Sequence, residues 1–242
     1  MKSTHYNLLF LIYVISGCAS TYIPSPKNVP LFEKKGEVQI EAGASTNSLY
    51  LNGSYAFSEK YAMIANGSAA YCYISGKPIR SYNELTIFLD GDVPHCSFEA
   101  GIGRYNLLPS SNSRLEVFAG SGYGMAYDFF SKDRKSRYFQ GFMQINSGKR
   151  YNRVELGWSL RTVYTGFQYQ YRYYIPDHYP KEYIIKHVNY YAFYLEPLFV
   201  LRVGGQHLRW FARCGFNAPL VSSSKSVDHT IFHISTGLNL RF

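Results

Sequence analysis

From about residue 36 to its carboxyl end the chain repeats with a period of two. At the end, Phe232, Ile234, Thr236, Leu238, Leu240 and Phe242 fall on one face. His233, Ser235, Gly237, Asn239 and Arg241 fall on the other. Around residue 158, Val154, Leu156, Trp158, Leu160 and Tyr164 oppose Arg153, Glu155, Ser159 and Arg161. Alternate side chains of a strand point to opposite faces, so this pattern writes one greasy and one polar surface. No stretch carries the 3.6-residue period of an amphipathic helix, which restricts the chain to an all-β fold.

Strands are expected at about 36–46, 48–58, 60–73, 95–106, 113–128, 137–149, 152–169, 188–204, 207–220 and 229–242. The connections sort themselves. Those near 46–47, 58–60, 150–151 and 204–206 are tight and 107–112 is short to medium, whereas 74–94, 129–136, 170–187 and 221–228 are longer, so that apart from the first the odd connections exceed their even neighbours. An up-and-down meander in a membrane has short turns at one end and long loops at the other. An open sheet edge in lipid would leave backbone groups unpaired, so the sheet must close. The expected fold is a closed antiparallel transmembrane up-and-down β-barrel of about ten strands, with eight as the alternative because 60–73 and 95–106 alternate least regularly. Composition fits a membrane wall: 18% aromatic, with 24 Tyr, rings suited to interfaces. The net charge of +9 suits anionic lipid or lipopolysaccharide, and no stacking motif points to nucleic acid.

Before the alternation lie two other segments. Residues 7–18, NLLFLIYVISGC, follow Lys2 and are too short to span, which reads as an export signal over 1–17. Residues 18–35 hold three prolines and no period, which reads as an extended periplasmic linker ahead of a barrel over 36–242. Ile15-Ser16-Gly17-Cys18 resembles the bacterial lipoprotein cleavage box. That resemblance implies acylation of Cys18, anchoring in the outer membrane with both termini periplasmic, and handling by the lipoprotein-sorting machinery. The terminal Phe242 resembles the signal read by the barrel-assembly machinery. The first 70 residues, with a Pro-rich linker leading into GEVQIEAGAS, are similar to small outer-membrane barrel lipoproteins of Bacteroidota. The resemblance implies an envelope protein without an assigned chemistry.

The inward face collects Glu37, Glu41, Glu99, Glu116, Glu155 and Glu196 together with Arg153, Arg161, Arg202, Arg209, Arg213 and Arg241. Charges in a narrow lumen must pair, so a charge-filled interior and a non-enzymatic envelope or accessory role are expected. The alternative is a narrow pore or small-solute carrier. A third reading places Asp90, Asp92, Asp177 and His178 at the outer rim, where omptin proteases carry an Asp pair and an Asp-His pair. Here Asp177 and His178 are adjacent rather than one residue apart, so their side chains diverge on an extended segment. The glycines of GSGYG, residues 120–124, sit in a strand pattern with no helix after them, so they provide interior room rather than a phosphate loop. Lys132, Arg134, Lys135 and Arg137 are expected in an external loop, where they could meet lipopolysaccharide phosphates. The His and Cys spacings make no metal site, and no cofactor is implied. Cys72 and Cys96 flank one connection, but the alternation sets them on opposite faces, and their pairing stays open.

Overall fold

The computed structural model describes residues 24–46, 48–70, 95–105, 113–127, 135–174, 183–223 and 231–242. Its strands are β1 (Val38–Ser45), β2 (Ser48–Tyr55), β3 (Tyr61–Ala70), β4 (His95–Arg104), β5 (Ser113–Tyr127), β6 (Lys135–Tyr151), β7 (Val154–Tyr174), β8 (Tyr183–Gly204), β9 (Leu208–Phe216), β10 (Ala218–Ser222) and β11 (Phe232–Arg241). β9 and β10 are one stave interrupted at Asn217. Both pair with β8, and the register runs on from Gly215↔Leu198 to Ala218↔Leu195. Every stave is antiparallel to its neighbours, and β11 returns to β1 from Gln39↔Arg241 to Ser45↔Ser235. The result is a closed antiparallel barrel of ten staves.

The seam is finished by the chain's last residue. Phe242 N donates to Val38 O at 3.0 Å, and Val38 N donates to Phe242 O at 3.2 Å. The Phe242 ring itself faces outward. Outward positions carry Leu51, Phe98, Met143, Phe199 and Leu238, all exposed, while the residues alternating with them are buried. This is an outer-membrane-type wall: apolar outside, polar inside. No helix among the described residues is long and apolar enough to cross a membrane; any crossing here would be made by strands.

The structure departs from the sequence reading at three places. β7 and β8 stay paired out to Tyr174↔Tyr183, so 170–174 and 183–187 of the connection expected over 170–187 are strand. Tyr and polar residues alternate there without apolar contrast, which hides the period. β6 begins at Lys135, so Lys135 and Arg137 belong to a strand rather than a loop, and Arg137 is exposed. Residues 24–32, expected in a periplasmic linker over 18–35, are buried inside the barrel.

The lipid-facing assignment predicts a position-dependent cost. Met143→Arg, in the middle of β6 and 62% exposed, should destabilise the barrel by about 2–4 kcal/mol, and Tyr151→Arg at the strand end by about 0–1 kcal/mol. Urea unfolding in phospholipid vesicles measures both.

Candidate functional site: the occupied lumen

The lumen is filled by matching large side chains to glycines. In the β5–β6 register Gly120 faces Phe142, Gly122 faces Gln140 and Gly124 faces Tyr138. A Cβ at Gly124 would lie 2.2 Å from Tyr138 Cζ, and one at Gly120 would lie 2.6 Å from Phe142 Cζ. The glycines of the GSGYG motif are thus the hollows into which β6 packs. Tyr138 in turn hydrogen-bonds His95 Nε2 at 2.7 Å.

Two ionic networks occupy the core. In the first, Glu99 accepts from Arg161 Nη1 and Nη2 at 2.7 and 2.5 Å, from Asn66 Nδ2 at 2.6 Å and from Gln140 Nε2 at 2.7 Å. Arg161 also reaches Glu196 at 3.7 Å and lies over the Phe142 ring at 4.2 Å. In the second, Glu41 binds Arg202 at 2.6 Å and also Arg213, while Glu155 binds Arg202 and Arg209, the latter at 2.8 Å. Arg241 bonds Glu37 at 2.6 Å. Glu116 stands apart and accepts from Asn146 Nδ2 at 3.1 Å.

Eleven of the twelve charges expected in the lumen are buried there. Arg153 is not: it sits exposed in the turn between β6 and β7, because the strand starts one residue later at Val154. That correction leaves six buried carboxylates on the wall against five guanidiniums. Lys27 supplies the sixth cation, from the segment threading the lumen.

This segment touches most of the wall. Lys27 Nζ lies 3.4 Å from Glu196 Oε2, both side chains fully buried. Asn28 Nδ2 donates to Gly53 O at 2.9 Å. Three consecutive carbonyls each take a side-chain donor: Asn28 from Gln144 at 2.7 Å, Val29 from Arg202 at 2.6 Å, Pro30 from Gln39 at 2.7 Å. Phe32 N donates to Glu116 at 2.7 Å and Glu33 N to Glu37 at 2.9 Å. Pro24, Pro26 and Pro30 bring no N–H, so the segment has fewer donors to satisfy away from water.

Its apolar side chains are equally matched. Val29 and Leu31 pack with Tyr50, Leu198, Val200 and Phe211. Leu31 fills a hollow above the facing pair Gly148 and Gly157; a Cβ there would lie 2.2 and 3.2 Å from Leu31 Cδ1. Leu31 takes φ 54, a left-handed conformation that costs roughly 1–2 kcal/mol for a residue with a Cβ. Burying a leucine or phenylalanine contributes about 1.5–3 kcal/mol each, which offsets that strain. Phe32 stacks obliquely on Tyr105 at 5.4 Å.

Sequence reasoning missed this segment because prolines without a period read as linker. The signal it overlooked was the pairing of Lys27 with an apolar Val29-Pro30-Leu31-Phe32 run. Also missed were the neutral amides Gln39, Asn66, Gln140 and Gln144, which donate to carbonyls and carboxylates in the lumen alongside the arginines. Cys18, Cys72 and the rim residues Asp90, Asp92, Asp177 and His178 lie outside the described residues, as do Lys132 and Arg134. Cys96 and Cys214 are free thiols. Among the described residues no cluster of His, Cys, Asp and Glu could hold a metal.

No protein-family model and no curated protein matches the chain. Solved structures do. The outer membrane protease OmpT from Escherichia coli shares 13% identity over 85% of this chain and 92% of its own, with a TM-score of 0.45. The N-terminal β-barrel domain of Pseudomonas aeruginosa OprF shares 9% identity over 87% of this chain and 100% of its own, with a TM-score of 0.33. OmpT of Vibrio cholerae, an outer membrane protein in its trimer form, shares 9% over 86% and 98%, with a TM-score of 0.20. Likeness this distant speaks to no shared chemistry.

The ionic core predicts a sharp contrast. Glu41→Gln leaves Arg202 and Arg213 without their shared carboxylate and should cost about 3–5 kcal/mol. Arg153→Gln, exposed in its turn, should change stability by less than about 0.5 kcal/mol. Denaturant unfolding of the refolded barrel in detergent checks the pair.

Proposed function

We propose that this chain is a lipid-anchored protein of the bacterial outer membrane whose barrel is sealed, with a structural or accessory role in the envelope and no catalysis of its own. Cys18 carries the anchor. The end with the chain's closing seam and the turns after β6 and β8 faces the periplasm, and the outer wall meets lipid and lipopolysaccharide.

One observation carries the sealed reading: the lumen is occupied by residues 24–32, and Lys27 among them joins a fully buried ionic network. Lys27, Glu196, Arg161 and Glu99 all have 0% side-chain exposure. An ion crossing here would have to give up its water and break an ion pair that cannot rehydrate. A barrel of ten staves is little wider than one that side chains fill outright.

Two measurements test this. Reconstituted into planar bilayers, the protein should add no stepwise conductance to that of lipid alone; a steady conductance at neutral pH would reassign it as a narrow pore. Cells fed a fatty-acid analogue should label the protein, and Cys18→Ala should abolish the label. Retained label in that variant would remove the anchor from the reading.

A further inference from the structure

The segment 24–32 meets the wall as a ligand meets a receptor. Every strand pairing of the barrel, including the β1–β11 seam, is made by the wall alone. The segment contains no strand, and it is held by wall side chains aimed inward at it. On its carboxyl side it joins the wall through the exposed stretch Glu33, Lys34, Lys35 and Gly36, the last at φ 82, a conformation glycine adopts freely.

The vacated site would have a defined chemistry. Glu99 and Glu196 both reach Arg161, at 2.5 and 3.7 Å. Lys27 Nζ lies 3.4 Å from Glu196 Oε2. An anion buried at that level would face the Glu196 carboxylate, so the site selects an ammonium or guanidinium there. The Gly148–Gly157 hollow takes a branched aliphatic side chain four residues further on. Gln144, Arg202 and Gln39 between them read the peptide backbone through its carbonyls.

We propose that the lumen is a peptide-binding site, occupied in this structure by the chain's own segment 24–32, whose ligands are extended, proline-broken peptides with a cationic residue four positions before a leucine. The segment is a tethered ligand that a matching peptide can replace. This goes beyond the sealed state, which describes only what the occupied lumen does, and it does not depend on the lipid anchor.

The test uses the full chain folded in detergent, with a specific endoprotease site inserted after Lys35. After cleavage, a fluorescein-labelled peptide of residues 25–33, SPKNVPLFE, is added and its anisotropy followed. Heat-modifiable gel mobility reports whether the barrel remains folded. The expected result is saturable uptake by the cut, folded barrel and displacement of the resident fragment. Peptide with Glu in place of Lys27 should bind at least about tenfold more weakly, equivalent to 1.4 kcal/mol. A Glu196→Gln barrel should lose most of that discrimination.

Three results would overturn the proposal. The cut barrel unfolds, which makes the segment part of the folding core. The fragment cannot be displaced by excess peptide while the barrel stays folded. Or the Lys and Glu peptides bind equally to the unaltered barrel. Conductance of the uncut protein tests the sealed reading separately, so the two can fail independently.

Discussion

Closure is the constraint from which the rest follows. In a hydrocarbon layer every unpaired N–H or C=O costs several kcal/mol, so a sheet survives there only without an edge. This chain removes its edge by bringing β11 to β1, with the register extended to its final residue through the paired Val38 and Phe242 backbones. Once closed, the alternation has no freedom left. A slip of one residue would turn Glu41 and Arg202 toward lipid and Ile40 and Leu201 inward. The charges therefore police the register, and the register concentrates the charges.

Concentrated charges then dictate what the lumen must contain. Six buried carboxylates on the wall face five buried guanidiniums. The chain brings a sixth buried cation, Lys27, to Glu196 on a segment that enters beside Gly36 and passes Arg202 before reaching Glu196. The same segment fills space. At Gly148 and Gly157 the wall has given up side chains, and Leu31 occupies the volume. Charge and shape are thus complementary between two stretches of one chain that share no strand pairing.

The sequence disclosed the wall and concealed its contents, for a physical reason. Lipid imposes a strict inside–outside contrast on strands, so faces at Phe232 to Phe242 or Val154 to Tyr164 could be read residue by residue. The contrast failed where Tyr alternates with polar residues over 169–174, and there the strand ends were placed short. Lumen charges were legible because a charge on a membrane strand has only one tolerable direction. Arg153 misled because turn residues share a strand's parity without its constraint. Residues 24–32 were illegible because an extended segment held by other side chains has no period of its own. Its pattern is complementary to the wall, not to itself, and a single sequence read locally does not display that relation.

How the lumen is filled bears on what the barrel can become. Where large side chains of the wall pack against one another, as Tyr138 and Phe142 do into the β5 glycines, the filling cannot leave without unfolding the wall. A segment that makes no strand pairing is different: its departure breaks none. What holds it is a sum of separable contacts: three hydrogen bonds to its carbonyls, two donated by Asn28 Nδ2 and Phe32 N, one ion pair and a few buried apolar side chains. Each is the kind of contact a second peptide can reproduce. By leaving glycines at 148 and 157 and turning the Glu196 carboxylate toward Lys27, the wall keeps a recognition surface where it could have kept a solid core.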